Sequence, residues 1–422
     1  MTRNDDTYDV MVIGAGFAGM AAALFASAQG LKVVQTGSTG GIDFSTGFID
    51  LMGVHPVAEG KRWRNPWSAI EAVVRDFPKH PYGLLSTDEI SEAIDIFTRF
   101  LVEQGLEYVG HQERNTCSLT PAGTIKRTYR VPKTAWNGSV ALGQKAPTLI
   151  VDFHGLKGFS GAQLVETQKH HWPELKTVRI QFPGGRGELY PEHMAWALAD
   201  LGIQEKMIAA IMPHAVDVEY IGFPAVLGLN DPVKIVNHLE KLSEKQIFEI
   251  PTIPPSIAGP RLRAVFDRGL PSLGVRTHSQ KMVTGVKVLD NGMFEFSVGT
   301  GAAMLPVTAK KAILATGRFF GKGLRADRKK LVEPVFDLSV VQPEERGQWH
   351  AQEFFAPQGH PVNSAGIEVD ERLRPVDASG RPAYANLHAA GAILAHHDWM
   401  RMKCGAGLAI ATAYKAVKEL MR

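Results

Sequence analysis

Cysteine is nearly absent from this sequence: Cys117 and Cys404 are the only two in 422 residues, far apart and outside any C-x-x-C. That excludes a cysteine-ligated iron–sulfur cluster or structural zinc site carried by this chain alone. A charge excess of one sign is also missing, since 46 Lys and Arg face 43 Asp and Glu for a net +3. Such balance argues against a nucleic-acid partner. The basic runs KRWR (61–64) and KRTYR (126–130) read as solvated faces or protein contacts. No apolar run nears the ~18 residues of a spanning helix. The polar lead before VMVIG lacks a signal-peptide hydrophobic region, and a cytoplasmic, reducing location is the expectation.

What is present suits a globular protein. Hydrophobic residues make up 45% of the chain and the mean hydropathy is near zero, at -0.07. The length suggests about two to three domain-sized units.

The stretch YDVMVIGAGFAGMAAALFASAQGLKVVQTG reads as strand, glycine turn, helix and strand. Val10, Val12 and Ile13 supply a buried strand, and a small-residue helix ends at Gly30. In the G-x-G-x-x-G, Gly14 makes the tight turn, Gly16 lets backbone amides approach a pyrophosphate and Gly19 lets helix and strand pack. The turn formed by Gly14, Ala15, Gly16, Phe17, Ala18 and Gly19 is therefore a candidate dinucleotide site, with the anion on the helix N-terminus. One element is missing. The acid expected about 20 residues beyond the first glycine falls on Gln35 or Thr36, followed by Gly37, and either neutral side chain can still hydrogen-bond a ribose.

Near the C-terminus, KKAILATGRFF (310–320) is a buried strand ending in Ala-Thr-Gly, which marks Thr316 and Gly317. NLHAAGAILA (386–395) is a second strand ending on Gly391, and Gly405, Ala406 and Gly407 open the last helix. That helix N-terminus suits the electron-rich edge of a reduced flavin. The three pieces in this order resemble two-domain flavoproteins of the fumarate reductase and glycerol-phosphate dehydrogenase type.

Between them, Ser86 and Glu89 form a capping box ahead of the apolar stripe Ile90, Ile94, Phe97 and Leu101, and Gly105 ends the helix. TLIVDFHGLKGFSGAQLVETQ reads as strand, turn and helix, but Gly155, Gly158 and Gly161 lack the fingerprint spacing and place no second nucleotide. A proline-rich connector leads into a helix after Ser256, and Asp290, Asn291 and Gly292 turn a hairpin. The expected fold is α/β, a two-domain flavoprotein. A Rossmann-like dinucleotide-binding domain (1–55 and 256–422) is split in sequence by an inserted α+β cap (56–255), with a substrate cleft between them.

Five segments carry a fuller resemblance: DFSTGFIDLMG, LTPAGTIKRTYRVP, PTIPPSIAGPRLR, ILATGRFFGKGLRADR and EFFAPQG. In this order they make the chain similar to the family of B-type subunits of anaerobic glycerol-3-phosphate dehydrogenase. The resemblance implies a soluble pair with an A-type flavoprotein that oxidises glycerol 3-phosphate to dihydroxyacetone phosphate. It also implies that electrons pass through an iron–sulfur C-type subunit to membrane quinone. It implies FAD or FMN as cofactor, a place on the cytoplasmic face of the inner membrane through partners, and Ser45, Thr46 and Gly47 beside the flavin.

Oxidising a secondary alcohol needs a base, a hydride path to the flavin and cations for the phosphate. His396, His397 and Arg401, with Lys403, precede the last glycine turn, and Arg318 follows the ATG. These are the catalytic candidates, with Arg261 a weaker one. Two alternatives stay open: a related flavin enzyme acting on fumarate, succinate or a ketosteroid, and a non-catalytic electron-transfer or scaffold subunit.

Overall fold

The computed structural model describes residues 7–38, 40–185 and 187–422. Along the chain the elements used below are β1 (Tyr8–Ile13), α1 (Phe17–Ala28), β2 (Val33–Gly37), α2 (Pro66–Asp76), α3 (Thr87–Glu103) and α4 (Lys133–Gln144). They continue as β3 (Thr148–Phe153), α5 (Gly161–Gln168), β4 (Leu175–Ile180), β5 (Tyr220–Pro224), α6 (Pro232–Ser243), β6 (Gln246–Ile250) and α7 (Ala258–Ser272). The last group is β7 (Arg276–Ser279), β8 (Val283–Val288), β9 (Phe294–Val298), β10 (Leu305–Leu314), β11 (Leu387–Ala389) and α8 (Gly405–Leu420).

The chain forms two compact units. The first comprises residues up to Ile42, Asp50–Phe100 and Phe266–Arg422, and the second Asp43–Ile49 and Leu101–Val265.

In the first unit a seven-stranded sheet runs β7-β2-β1-β10-β9-β8, with β11 also paired to β10. The pairs among β7, β2, β1 and β10 are parallel, and the β8–β9–β10 ladder is antiparallel. One edge of the long β10 is shared: its first half pairs with β9 and its last three residues run parallel to β11. Val10, Met11 and Val12 are fully buried, the pattern of a parallel strand covered on both faces. The buried run Ala21, Ala22 and Ala23 gives α1 a thin face that packs on α8.

Local chemistry sets the helix ends as read. The Ser86 amide donates to Glu89 Oε2 at 3.0 Å, and the Glu89 amide to Ser86 Oγ at 3.2 Å. The Asp290-Asn291-Gly292 turn joins β8 to β9, with the Leu289 amide donating to the Met293 carbonyl.

Two features differ from expectation. Residues 56–100, assigned to the insert, belong to the first unit. The Tyr82 hydroxyl donates to the Leu51 carbonyl (2.6 Å), Lys415 of α8 to the Leu84 carbonyl (2.5 Å), and Lys418 pairs with Glu89 at 3.0 Å. The insert itself is α/β rather than α+β. Its four-stranded sheet, β6-β5-β3-β4, is parallel throughout, with α5 between β3 and β4 and α6 between β5 and β6. The physical reason is continuous burial: every residue of β3 and β5 is buried, which requires cover on both faces.

Candidate cofactor and active site

The parallel strands of the first unit deliver their carboxyl ends to one edge, where open α/β sheets bind ligands. Gly14 sits at φ 143, and a Cβ there would lie 2.1 Å from the Ala315 carbonyl oxygen at the end of β10. A Cβ at Gly19 would lie 2.1 Å from the Gly14 carbonyl oxygen. No side chain fits at either place, so the turn is pressed between α1 and β10. Gly16 faces the other way: its Cβ would meet only the Gly41 nitrogen at 3.8 Å, and one at Gly41 would meet nothing. No side chain caps α1 at Gly16 and no acid stands in its first turn, so the exposed N–H groups keep their affinity for an anion. Ala15, Phe17 and Ala18 contribute backbone, while the Phe17 ring packs 6.3 Å from Phe97 and Ala18 meets Gly391.

The missing acid has a structural cause. The Gln35 carboxamide is buried and donates to the Gly14 carbonyl at 2.9 Å, bracing the glycine turn from beneath. The Thr36 hydroxyl donates to the carbonyls of His278 and Lys281 at 3.2 and 3.1 Å. Neither side chain is available to a ribose. The strand reaches the edge at Gly37, where a Cβ would stand 2.6 Å from both the nitrogen and the Cβ of Ala15. An acid is therefore excluded at this strand end by contact with the turn, and the backbone after Gly37 is what can meet the ribose.

The closing half lies along the same edge. Ala315 N donates to Ile13 O at 2.8 Å and Ala390 N to Leu314 O at 3.0 Å, which carries the sheet past the formal strand ends. Gly317 and Gly391 take φ 65 and 80, conformations that suit glycine. The Thr316 hydroxyl oxygen is enclosed and has no hydrogen-bond partner among the described residues, a group that a ligand can satisfy. At α8 no side chain caps the helix, and Gly407 approaches the chain at Asp50, its amide donating to the Asp50 carbonyl at 2.8 Å. These residues fit a nucleotide-bearing flavin: uncapped helix ends, glycines against backbone and one unsatisfied hydroxyl.

The catalytic candidates divide into two kinds. Arg318 is buried with its guanidinium on the carbonyls of Asn363, Leu394 (2.9 Å) and His397 (2.9 Å), and burial lowers its pKa to about 10. It ties three loops together and does not face solvent. His397 is fully buried, with Nδ1 3.2 Å from the Ala395 carbonyl. Burial first, then the neighbouring Arg318 and His80, hold it neutral, its pKa well below the usual imidazole value. Arg318 and His397 are both buried, and Arg318 Nε and His397 Nε2 have no hydrogen-bond partner among the described residues.

His396 and Arg401 are partly exposed. His396 sits at φ 66, and its Nε2 pairs with Glu368, which Lys79 also approaches at 3.4 Å. A side chain held in a sparsely populated backbone region is a recurrent mark of functional sites. Arg401 closes on Asp398 at 3.6 Å, and Lys403 stands at the left-handed end of the short helix Trp399–Met402. Sequence spacing suggested the histidine but not Glu368, which reaches it through the fold of a separate loop. His80, whose ring lies 6.0 Å from that of His397, was also missed; burial lowers its pKa to about 3.

Ser45, Thr46 and Gly47 are placed in the second unit. There Ser45 Oγ accepts the Gly47 amide at 3.3 Å and the Tyr108 hydroxyl donates to the Gly47 carbonyl at 2.7 Å. Arg261 is enclosed in the same unit, bidentate to Glu249 at 2.6 and 2.9 Å and bonded to the Gly228 carbonyl at 2.8 Å. It is a structural ion pair.

Comparison with known proteins places this geometry. A family model described as FAD binding domain matches residues 9–408. The B-type subunit of anaerobic glycerol-3-phosphate dehydrogenase from Vibrio cholerae serotype O1 is 30% identical over 439 residues, covering 98% of this chain and 96% of that protein. A Halobacterium salinarum protein, named as the probable B-type subunit of the same enzyme, is 30% identical over 97% of this chain and 96% of its own length. Among solved structures, 3-ketosteroid delta1-dehydrogenase from Sterolibacterium denitrificans aligns over 98% of this chain and 99% of that one, with a TM-score of 0.44 and 11% identity. The chain belongs to the FAD-binding-domain flavoproteins, within the family of B-type subunits of anaerobic glycerol-3-phosphate dehydrogenase; it is a flavin oxidoreductase subunit, and of the two flavins its sequence left open, FAD is the cofactor.

Proposed function

We propose that this FAD-carrying chain oxidises glycerol 3-phosphate to dihydroxyacetone phosphate as one subunit of a quinone-linked complex. The observation that supports the reading is the similarity, at 30% identity over nearly the full length of both chains, to relatives bearing that name. An A-type flavoprotein would be the companion. An iron–sulfur C-type subunit would take the electrons, because the two cysteines of this chain cannot hold a cluster. The complex would lie in the cytoplasm and meet the inner membrane through the C-type subunit.

FAD, held by the Gly14–Gly19 turn and the α8 N-terminus, would supply a hydride acceptor for the substrate carbon. The chain's own residues have the remaining tasks. His396 takes the hydroxyl proton, while Glu368 fixes the imidazole and stabilises the cation that forms. Arg401 and Lys403 offer cations to the phosphate. Arg318 and His397 hold the loops that carry these groups.

Anaerobic addition of glycerol 3-phosphate to the purified holoprotein, alone and within its complex, with flavin absorbance followed, tests the reading. Bleaching that His396→Asn slows by about 100-fold or more supports it. Full turnover of His396→Asn in the reconstituted complex favours a second reading, in which the A-type partner oxidises the substrate and this chain relays electrons. The burial of Arg318 and His397, two of four candidate groups, speaks for that alternative. Bleaching by a dicarboxylate and not by glycerol 3-phosphate would assign the chain a different substrate.

A further inference from the structure

We propose that one face of the first unit, built from the Phe354–Phe355 loop and the adjoining basic hairpin, docks directly on an anionic phospholipid surface. The inference is independent of which substrate the flavin site takes.

Three loops form the face and are bonded to one another. The loop after β10 carries Phe319 and is anchored by Arg318 on the Asn363 and Leu394 carbonyls. In the next loop, His360 Nδ1 accepts the Ala351 amide and Nε2 lies 3.1 Å from the Phe354 carbonyl, which holds that turn outward. A Cβ at Gly359 would lie 2.9 Å from Arg401 Cδ, so this loop abuts the turn that carries Met400. Phe354 and Phe355 are 78% and 84% exposed, with ring centroids 4.8 Å apart, and Met400 and Phe319 are 56% and 42% exposed. Scattered apolar residues on a surface need no explanation, but adjacent phenylalanines that project this far mark an interaction site.

The hairpin supplies the charge. Between Lys322 and Lys330 stand five exposed cations, Lys322, Arg325, Arg328, Lys329 and Lys330, against one acid, Asp327. That acid faces its own turn, where Oδ1 accepts the amides of Lys329 and Lys330 at 2.6 and 2.7 Å. Arg346 reaches the Asp327 carbonyl at 3.5 Å, and Leu331 packs in one cluster with Trp349 and Val362, which sets the hairpin beside the phenylalanine loop. Glu344, Glu345 and Glu353 are the exposed acids of the phenylalanine loop, so the positive charge is concentrated in the hairpin beside it. Projecting rings next to such a cluster match a bilayer interface, where the rings enter the headgroup layer and the cations meet anionic lipid. A protein partner with an acidic rim would meet the same charge. The outward projection of the pair, with both rings more than three-quarters exposed, favours lipid. Among the described residues no helix is long and apolar enough to cross a membrane, so the contact is peripheral.

Flotation of the full-length FAD-loaded protein with vesicles tests this. One set is phosphatidylcholine alone and the other contains phosphatidylglycerol. Binding to the anionic vesicles only is expected, falling about tenfold or more at ~0.5 M salt. The same loss is expected in Lys329→Glu/Lys330→Glu and in Phe354→Ser/Phe355→Ser, with flavin content and melting temperature retained as evidence of folding. No flotation with anionic vesicles, or equal flotation of both double variants, overturns the proposal. So does a Phe354→Ser/Phe355→Ser protein that still floats but leaves its native complex, because the face is then a protein interface.

Discussion

In the first unit β1, β2, β10 and β11 run into Gly14, Gly37, Ala315 and Ala390, and the helix that follows β1 has no side-chain cap. In the second unit the parallel strand β3 also leads into a helix, α5, but that helix N-terminus is occupied. The Ser160 hydroxyl accepts the Gln163 amide at 3.3 Å, Asp152 accepts the Gly161 amide at 3.2 Å, and Arg179 neutralises Asp152 at 2.7 Å. At the end of β6, Glu249 is closed by Arg261. Both sheets have the parallel architecture that hosts nucleotides, and α6 of the second unit, which begins Asp231-Pro232, is likewise without a side-chain cap, but the uncapped helix that follows β1 also opens on a glycine turn pressed against backbone. Strand order alone does not make a site. Unoccupied donors and glycines that admit a ligand to the backbone do.

The sharpest way to break this contrast is to place a Cβ at each glycine contact. Gly14→Ala should cost about 4 kcal/mol or more, since no relaxation of one side chain relieves a 2.1 Å approach to backbone. The FAD-to-protein absorbance ratio should collapse. Gly155→Ala, whose Cβ would stand 2.0 Å from the Gly187 carbonyl in the second unit, should lower the melting temperature but leave FAD bound in the folded fraction. If Gly155→Ala empties the protein of FAD as fully as Gly14→Ala, the two edges are not functionally distinct.

The ion pairs of the second unit come next. Arg261→Ala leaves Glu249 buried without its partner and should cost about 3–5 kcal/mol in denaturant titration. Arg179 is half exposed, and Asp152 keeps the Phe153 and Gly161 amides, so Arg179→Ala should cost only about 1 kcal/mol. Equal losses would mean that burial does not decide the matter.

Acid should act through the first unit. His80, His388 and His397 lie there, and burial lowers their pKa values, to about 3 for His80 and about 4 for His388. The unfolded chain binds these protons near pH 6.5 while the folded chain refuses them, so stability is present above that pH and falls as pH drops toward 4. Between pH 6.5 and 5.5 each group should remove about 1 kcal/mol. Calorimetry across that range checks the slope, and a His388→Phe variant should flatten it. An unchanged slope in that variant would remove His388 from the account.

What the sequence disclosed follows the range of the forces involved. The Gly14, Gly16 and Gly19 turn, the Ser86–Glu89 box and the Asn291-Gly292 hairpin are local, each set by residues within a few positions, and all three stand where expected. The FAD edge was legible for the same reason. Glu368 on His396 was not, because a loop far from the glycine turn brings it there. Helix α2 was assigned to the insert because composition shifts after Pro56, whereas its neighbours are fixed by contacts such as Lys415 on Leu84, more than 300 positions apart. The exposed Phe354–Phe355 pair carries no periodicity by which a one-dimensional pattern could register it.

A further expected effect bears on the strand end without an acid. Restoring the acid as Gln35→Glu would improve a ribose site if position 35 faced the ribose. In the structure that side chain lies beneath the turn, and its amide is the donor to the Gly14 carbonyl. A carboxylate there has no proton to donate and brings an unpaired charge against a carbonyl oxygen, so it would have to take up a proton to stay buried. Gln35→Glu should therefore lose about 1–2 kcal/mol of stability and hold FAD more weakly, with the deficit growing as pH rises, while Gln35→Met loses the hydrogen bond alone. Tighter FAD binding in Gln35→Glu, measured by fluorescence titration of the apoprotein, would put residue 35 at the ribose and return the first unit's edge to the ordinary dinucleotide pattern.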